Sequence, residues 1–115
     1  MKDAQQQDIV WVRFPYSDLK ESKFRPALVV SCNDYNKNHL DVLVCAVTSN
    51  LGEKEHSVLI DKSNVSSGKM PVKSRIRADK IMHIENSLIA GVLAKIDNKT
   101  FDELVQEIVR LVKRG

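Results

Sequence analysis

Apolar residues recur at helical spacing at the C-terminal end of this chain, where Phe101, Leu104, Val105, Ile108, Leu111 and Val112 fall three or four positions apart. Either a Thr100-x-x-Glu103 capping box or an Asp97 cap starts that segment, and Arg110, Lys113 and Arg114 suit the negative end of a helix dipole. What precedes it is a series of short runs rich in β-branched and aromatic residues, broken by polar turn formers. Strands first and one amphipathic helix last predict a mainly β fold, a small barrel or curled sheet with a C-terminal α-helix packed on it.

The runs place the strands. Asp8-Ile-Val-Trp-Val-Arg-Phe14 is the first, followed by a polar connection from Pro15 to Phe24. Pro26 to Ser31 and Leu40 to Val47 are apolar at consecutive positions, as strands covered on both faces are, and Asn33-Asp-Tyr-Asn36 reads as the turn that makes them antiparallel. A short strand is expected at Ser57 to Ile60, a Ser/Asn/Gly loop over Asp61 to Gly68, and a last short strand at Ile89 to Leu93. Between them, Arg75 to Ile84 alternates: Ile76, Ala78, Met82 and Ile84 fall on one face, with Lys80 the exception, and Arg75, Arg77, Asp79 and His83 on the other.

At 115 residues the chain has room for one core, so one domain spanning 1–115 is expected. The start, MKDAQQQD, has no apolar segment and no run is long enough to span a bilayer, which predicts a cytoplasmic protein without membrane contact. Cys32 and Cys45 lie in apolar runs without metal-ligand spacing, and buried, reduced thiols are expected. Net charge is only +3, but Lys69 to Lys80 holds five basic residues against the single acid Asp79, an excess that suits a polyanion and equally a solvated strand face.

Two constellations carry chemistry. The antiparallel pair brings Arg25, before one strand, beside Thr48, after the other. A guanidinium fork and a neighbouring hydroxyl fit a phosphate and would stabilise the added negative charge of a phosphorane; the plainer reading is an edge arginine paired with an acid and a threonine capping a turn. Arg77 and Asp79, two apart on one strand, share a face, so that Asp79 can take a proton from a ribose 2′-OH while Arg77 meets the phosphate; the plainer reading is an i,i+2 ion pair. Trp11, Phe14, Tyr16, Phe24 and Tyr35 lie near this edge or its loop, where aromatic rings stack unpaired bases, although most, Trp11 above all, are expected in the core. His39, His56 and His83 have no Ser, Cys or Asp partner at a recognisable spacing. With no Gly-rich phosphate loop, no HExxH, no CxxC pair and no acidic cluster, metal-free and cofactor-free chemistry is expected.

Four ordered blocks, Asp8-Ile-Val-Trp-Val-Arg-Phe14, Arg25-Pro-Ala-Leu-Val-Val-Ser31 with Tyr35-Asn36, Val47-Thr-Ser49 and Ser74-x-x-Arg77-Ala-Asp79-Lys-Ile81, resemble the MazF/PemK (Kid) toxin family in order and spacing. The resemblance implies an SH3-like barrel, a homodimer, and sequence-specific, metal-independent cleavage of single-stranded RNA to a 2′,3′-cyclic phosphate and a 5′-hydroxyl. It also implies an antitoxin whose flexible acidic tail covers the RNA site. Arg25 and Thr48 look like the family's catalytic pair, with Ser49 beside them, and Arg77 and Asp79 match the Arg-x-Asp pair of the PemK branch. Ser49, Phe24 and Lys80 are the expected RNA contacts. Gln7 replaces the usual glycine before Asp-Ile-Val, which is expected to matter little, and Lys20 and Glu21 stand where some members place a working glutamate. The similar gyrase poison CcdB acts through a C-terminal tryptophan, whereas this chain ends Leu111-Val-Lys-Arg-Gly115, and a non-catalytic RNA-binding SH3-like module is the remaining alternative.

Overall fold

Runs that are apolar at every position need cover on both sides of a sheet, and the central strands have it. The computed structural model describes residues 4–15 and 22–115. It contains strands β1 (Asp8–Pro15), β2 (Ser22–Val29), β3 (Asp41–Thr48), β4 (Ser57–Ile60), β5 (Val65–Gly68), β6 (Ser74–Glu85) and β7 (Ile89–Ile96), with helix α1 (Asn33–Asn38) between β2 and β3 and helix α2 (Asn98–Val112) at the end. The strands form one antiparallel sheet in the order β4-β6-β3-β2-β1-β7-β5. Ile9, Leu28, Cys45, Val47 and Ile76 pack on one side with Phe101 and Leu104 of α2, while Val10, Val12, Ala27, Val29, Val42 and Val44 build a second core with Ile84. Alternate residues of the same strand thus feed two cores.

Several local expectations change. β2 begins at Ser22, so Phe24 and Arg25 are strand residues; Tyr16, Lys20 and Glu21 lie outside the described residues. The expected turn at Asn33–Asn36 is helix α1, held down by a buried pair in which Ser31 Oγ bonds Asn36 and Asn36 Nδ2 donates to Ser31 O at 2.9 Å. Because β2 ends at Val29, Cys32 precedes α1 as its N-cap and is exposed; only Cys45 is a buried thiol, its pKa pushed up to about 12 by burial, with the charge of Asp79 a further cause.

The Ser/Asn/Gly segment is not all loop. A 3₁₀ turn over Lys62–Asn64 leads into β5, which pairs with β7. Gly68 makes the close approach possible: its φ is 75°, and a Cβ there would lie 2.5 Å from Leu93 O. Gln7 also has positive φ, 78°. A glycine adopts this conformation freely, whereas a side chain costs roughly 1–2 kcal/mol there, so the departure matters more than expected. Two hydrogen bonds from Gln7 Nε2, to Ile96 O at 2.9 Å and Asn98 Oδ1 at 3.1 Å, offset it.

β6 does not keep one alternation throughout. Between Val47↔Ile76 and Cys45↔Ile81 it spends five steps where β3 spends two, and an odd number against an even one inverts its faces. Ile76 and Ala78 accordingly join the helix-side core and Ile84 the other, with Met82 packed against it. His83 therefore leaves the face of Arg77 and Asp79 and meets Asp41, its Nε2 2.9 Å from Oδ2.

Asp97 caps α2, its Oδ1 accepting from Thr100 N at 2.8 Å; Thr100, the other possible cap, is buried in the first turn. Hydrogen bonds from Thr100, side chain first and backbone second, hold the Asp97 carboxyl below the usual carboxylate range. Such a group stabilises the fold fully above its unfolded pKa, about 4, and loses that contribution as pH falls through the lower folded value. Asp97→Ala is expected to lower stability by about 1 kcal/mol at neutral pH, with the difference shrinking in acid; urea titrations of both proteins at several pH values check it.

Candidate functional site

Where β2 and β3 run side by side, the pairs Ala27↔Ala46, Leu28↔Cys45 and Val29↔Val44 set the register. Continued by two residues, that register brings Arg25 level with Thr48. Both line one cleft of about 290 Å³, together with Ser49, Ser74 and the rings of Trp11 and Phe24. The site exists because antiparallel pairing sets polar Arg25 of β2 beside Thr48, the last residue of β3.

No ion pair among the described residues engages the exposed Arg25 guanidinium, so its fork of donors is open to an anion. Thr48 Oγ1 accepts from Asn50 N at 3.1 Å, and Asn50 Oδ1 accepts from Gly52 N at 3.0 Å. The threonine does cap a turn. That bond occupies only one lone pair, leaves the hydroxyl proton to donate, and fixes the oxygen at the edge of the cleft.

Arg77 and Asp79 are joined to each other. Arg77 Nε donates to Asp79 Oδ1 at 3.0 Å and Nη2 to Oδ2 at 2.8 Å, while Nη1 lies 3.1 Å from Glu53 Oε1. The hydrogen bond from Arg77 is the main reason that the Asp79 carboxyl is held below the usual range, which makes it ionised but a weak base. Neither residue lines the cleft, and Lys80 does not either, its Nζ being 3.9 Å from Glu53 Oε1.

Other residues fall differently from their sequence reading. Trp11 is half-buried and walls the cleft instead of joining a core, whereas Phe14 packs against the second core. Tyr35 stacks on His39 with ring centroids 3.9 Å apart and reaches Asp41 at the other end of β3 from Thr48. Two histidines do have carboxylate partners, His83 with Asp41 and His56 with Glu107 at 3.5 Å, pairs that strand pairing and helix packing make across the sequence. Among the described residues, no three His, Cys, Asp or Glu side chains stand close enough to hold a metal ion, and no helix is long and apolar enough to cross a membrane.

Sequence reasoning gave no role to two residues here. Ser74 lines the cleft, and Arg75, the register partner of Thr48, donates from Nε to Leu51 O at 2.8 Å and so ties down the turn after Thr48. An arginine on the solvent side of an alternating strand gives no hint of such a bond.

The family model for the PemK-like, MazF-like toxin of type II toxin-antitoxin systems matches residues 5–112. The chain belongs to this toxin family. Solved structures share the fold across nearly the full length of this toxin. A MazE-MazF structure from Deinococcus radiodurans aligns with a TM-score of 0.82 at 21% identity, covering 99% of this chain and 100% of that one. An endoribonuclease in complex with its cognate antitoxin from a mycobacterial species aligns at 0.77 and 16%, covering 100% and 98%. The Mycobacterium tuberculosis toxin MazF-mt6 aligns at 0.74 and 16%, covering 94% and 98%. At these identities the likeness is one of fold, and it establishes the mainly β, SH3-like architecture with a C-terminal helix. Curated proteins give no match to the sequence.

Proposed function

We propose that this toxin is an endoribonuclease that cuts single-stranded RNA at specific short sequences, with its chemistry centred on Arg25 and Thr48. The observation that carries the reading is a guanidinium in no ion pair among the described residues, lining one open cleft with a turn-anchored hydroxyl. The ribose 2′-oxygen attacks the adjacent phosphorus and the bond from phosphorus to the 5′-oxygen breaks, leaving a 2′,3′-cyclic phosphate. The proton lost from the 2′-oxygen goes to a base and the departing 5′-oxygen gains one, giving a 5′-hydroxyl. Arg25 donates to the oxygens that gain charge, and the Thr48 hydroxyl adds a second donor. So written, the reaction uses no metal and no cofactor.

Ser49, beside Thr48, contacts the same phosphate, Phe24 contacts a base, and Lys80 adds charge along the strand path. Arg77 and Asp79 form a second catalytic pair that contributes only when RNA opens it: a phosphate that draws Arg77 away leaves Asp79 the stronger base for the 2′-hydroxyl proton. Thr48→Ala is expected to slow cleavage less than loss of the arginine, because it removes a neutral donor and leaves the charge in place; single-turnover rates compare the two.

The working form is proposed to be a cytoplasmic homodimer. Val105, Val109 and Val112 are exposed on one face of α2, an apolar stripe that a second copy would cover. Light scattering at micromolar concentration should give twice the chain mass, and Val109→Glu should lower it to one. A cognate antitoxin with a flexible acidic tail is proposed to lie over Arg25, Arg77 and Lys80, competing with RNA for the same cations.

The test is incubation of the purified protein with labelled single-stranded RNA in excess EDTA. Discrete fragments are expected; intact RNA over a range of sequences would remove the activity.

A further inference from the structure

The cleft has an apolar continuation that phosphate chemistry leaves unused. Trp11 and Phe24, which wall the cleft, also line an adjoining open hollow of about 430 Å³ with Ala90 of β7. In the sheet Trp11 stands between Pro26 of β2 and Gly91 of β7. Cross-strand partners project on the same face, so a side chain at position 91 would stand beside the indole. Gly91 has none, and a Cβ built there meets no atom within 4 Å. The backbone at Gly91 is not in the left-handed region, so glycine is required there neither by conformation nor by close packing. Its effect is to leave space beside Trp11.

We propose that this hollow is a nucleobase subsite, in which the unpaired base of a nucleotide next to the scissile phosphate stacks on Trp11 and Phe24. The inference rests on the RNA-cleaving reading and deepens it. Continuity with Arg25 and Thr48 argues for this occupant, since a nucleotide joins a phosphate and a flat apolar ring at fixed spacing, as the cleft and hollow do. An apolar lining offers no groups to read base edges, so the subsite adds affinity for any base, and sequence choice arises elsewhere. Gly91 and Ala90 act by staying small.

Trp11 is the chain's one tryptophan and borders both the cleft and the hollow, so tryptophan fluorescence reports on this one region and the variants assign the signal to the hollow. The probe is a short mixed-sequence 2′-O-methyl oligoribonucleotide, which has no free 2′-hydroxyl and stays intact. Titration of wild type should quench Trp11 saturably. Gly91→Leu, which puts a side chain into the open space at the register partner of Trp11, should bind about tenfold or more weakly and lose the quench, on the scale of one lost base stack. Phe24→Leu keeps apolar area but removes a ring at a position 52% exposed, and should also weaken binding; it carries the test if Gly91→Leu does not fold. Wild-type affinity in both variants, or a Gly91→Leu protein that changes its mass in light scattering instead of its affinity, would overturn the subsite, the latter making the hollow a contact between copies. A wild type that cuts RNA while the variants bind normally sinks the subsite alone; a wild type that neither cuts nor binds RNA sinks the functional reading with it.

Discussion

Arg25→Ala is expected to slow RNA cleavage by about two to three orders of magnitude, the scale of a lost donor to a developing oxyanion. The loss should appear in the rate of the chemical step with the fold intact, because Arg25 is exposed and no ion pair among the described residues depends on it. Arg25→Lys should fall between, since it keeps the charge but not the planar fork that meets two phosphate oxygens at once. Single-turnover rates on one labelled RNA, with circular dichroism as the control, measure both. Near-normal rates for Arg25→Ala would take this residue out of the mechanism and turn attention to Arg77.

Leu104→Ala should be the most damaging truncation in the helix, lowering stability by about 2–5 kcal/mol in urea titrations. Leu104 is fully buried among Ile9, Leu28, Ile76 and Ile96, and its loss opens a cavity at the seam between α2 and the sheet. Glu103→Ala, one residue earlier, serves as the contrast. Its side chain is exposed and the helix is capped by Asp97 instead of a Thr100-x-x-Glu103 box, so a change within about 0.5 kcal/mol is expected. Equal losses in the two variants would mean that α2 is held on by something other than this packing.

Much of the fold was legible because periodicity reports burial directly. Consecutive apolar residues in β2 and β3 marked strands with two covered faces, and the spacing in α2 marked a helix with one. What stayed hidden depended on backbone or distant partners. β5 looks like a loop since its role is to pair with β7 through Gly68, not to bury side chains. The β6 bulge keeps the pattern of even apolar residues while moving them between cores, so an unbroken alternation concealed a reversal of face. At the candidate site, antiparallel geometry alone brought Arg25 and Thr48 together, because register is local arithmetic. The half-buried state of Trp11 is hidden for a complementary reason: its register partner on β7 is Gly91, which offers no side chain, and no pattern along β1 records what a distant strand places there.

In the proposed reaction the Arg25–Thr48 cleft directs a ribose 2′-oxygen at the neighbouring phosphorus. Mass analysis of the ends produced from a defined RNA in EDTA tests it most directly. A 2′,3′-cyclic phosphate on the upstream fragment and a 5′-hydroxyl on the downstream one are expected, with both forming far more slowly in the Arg25→Ala digest. A 3′-hydroxyl and 5′-phosphate at the cut would contradict it, since a water attacking from outside the ribose would then be the nucleophile.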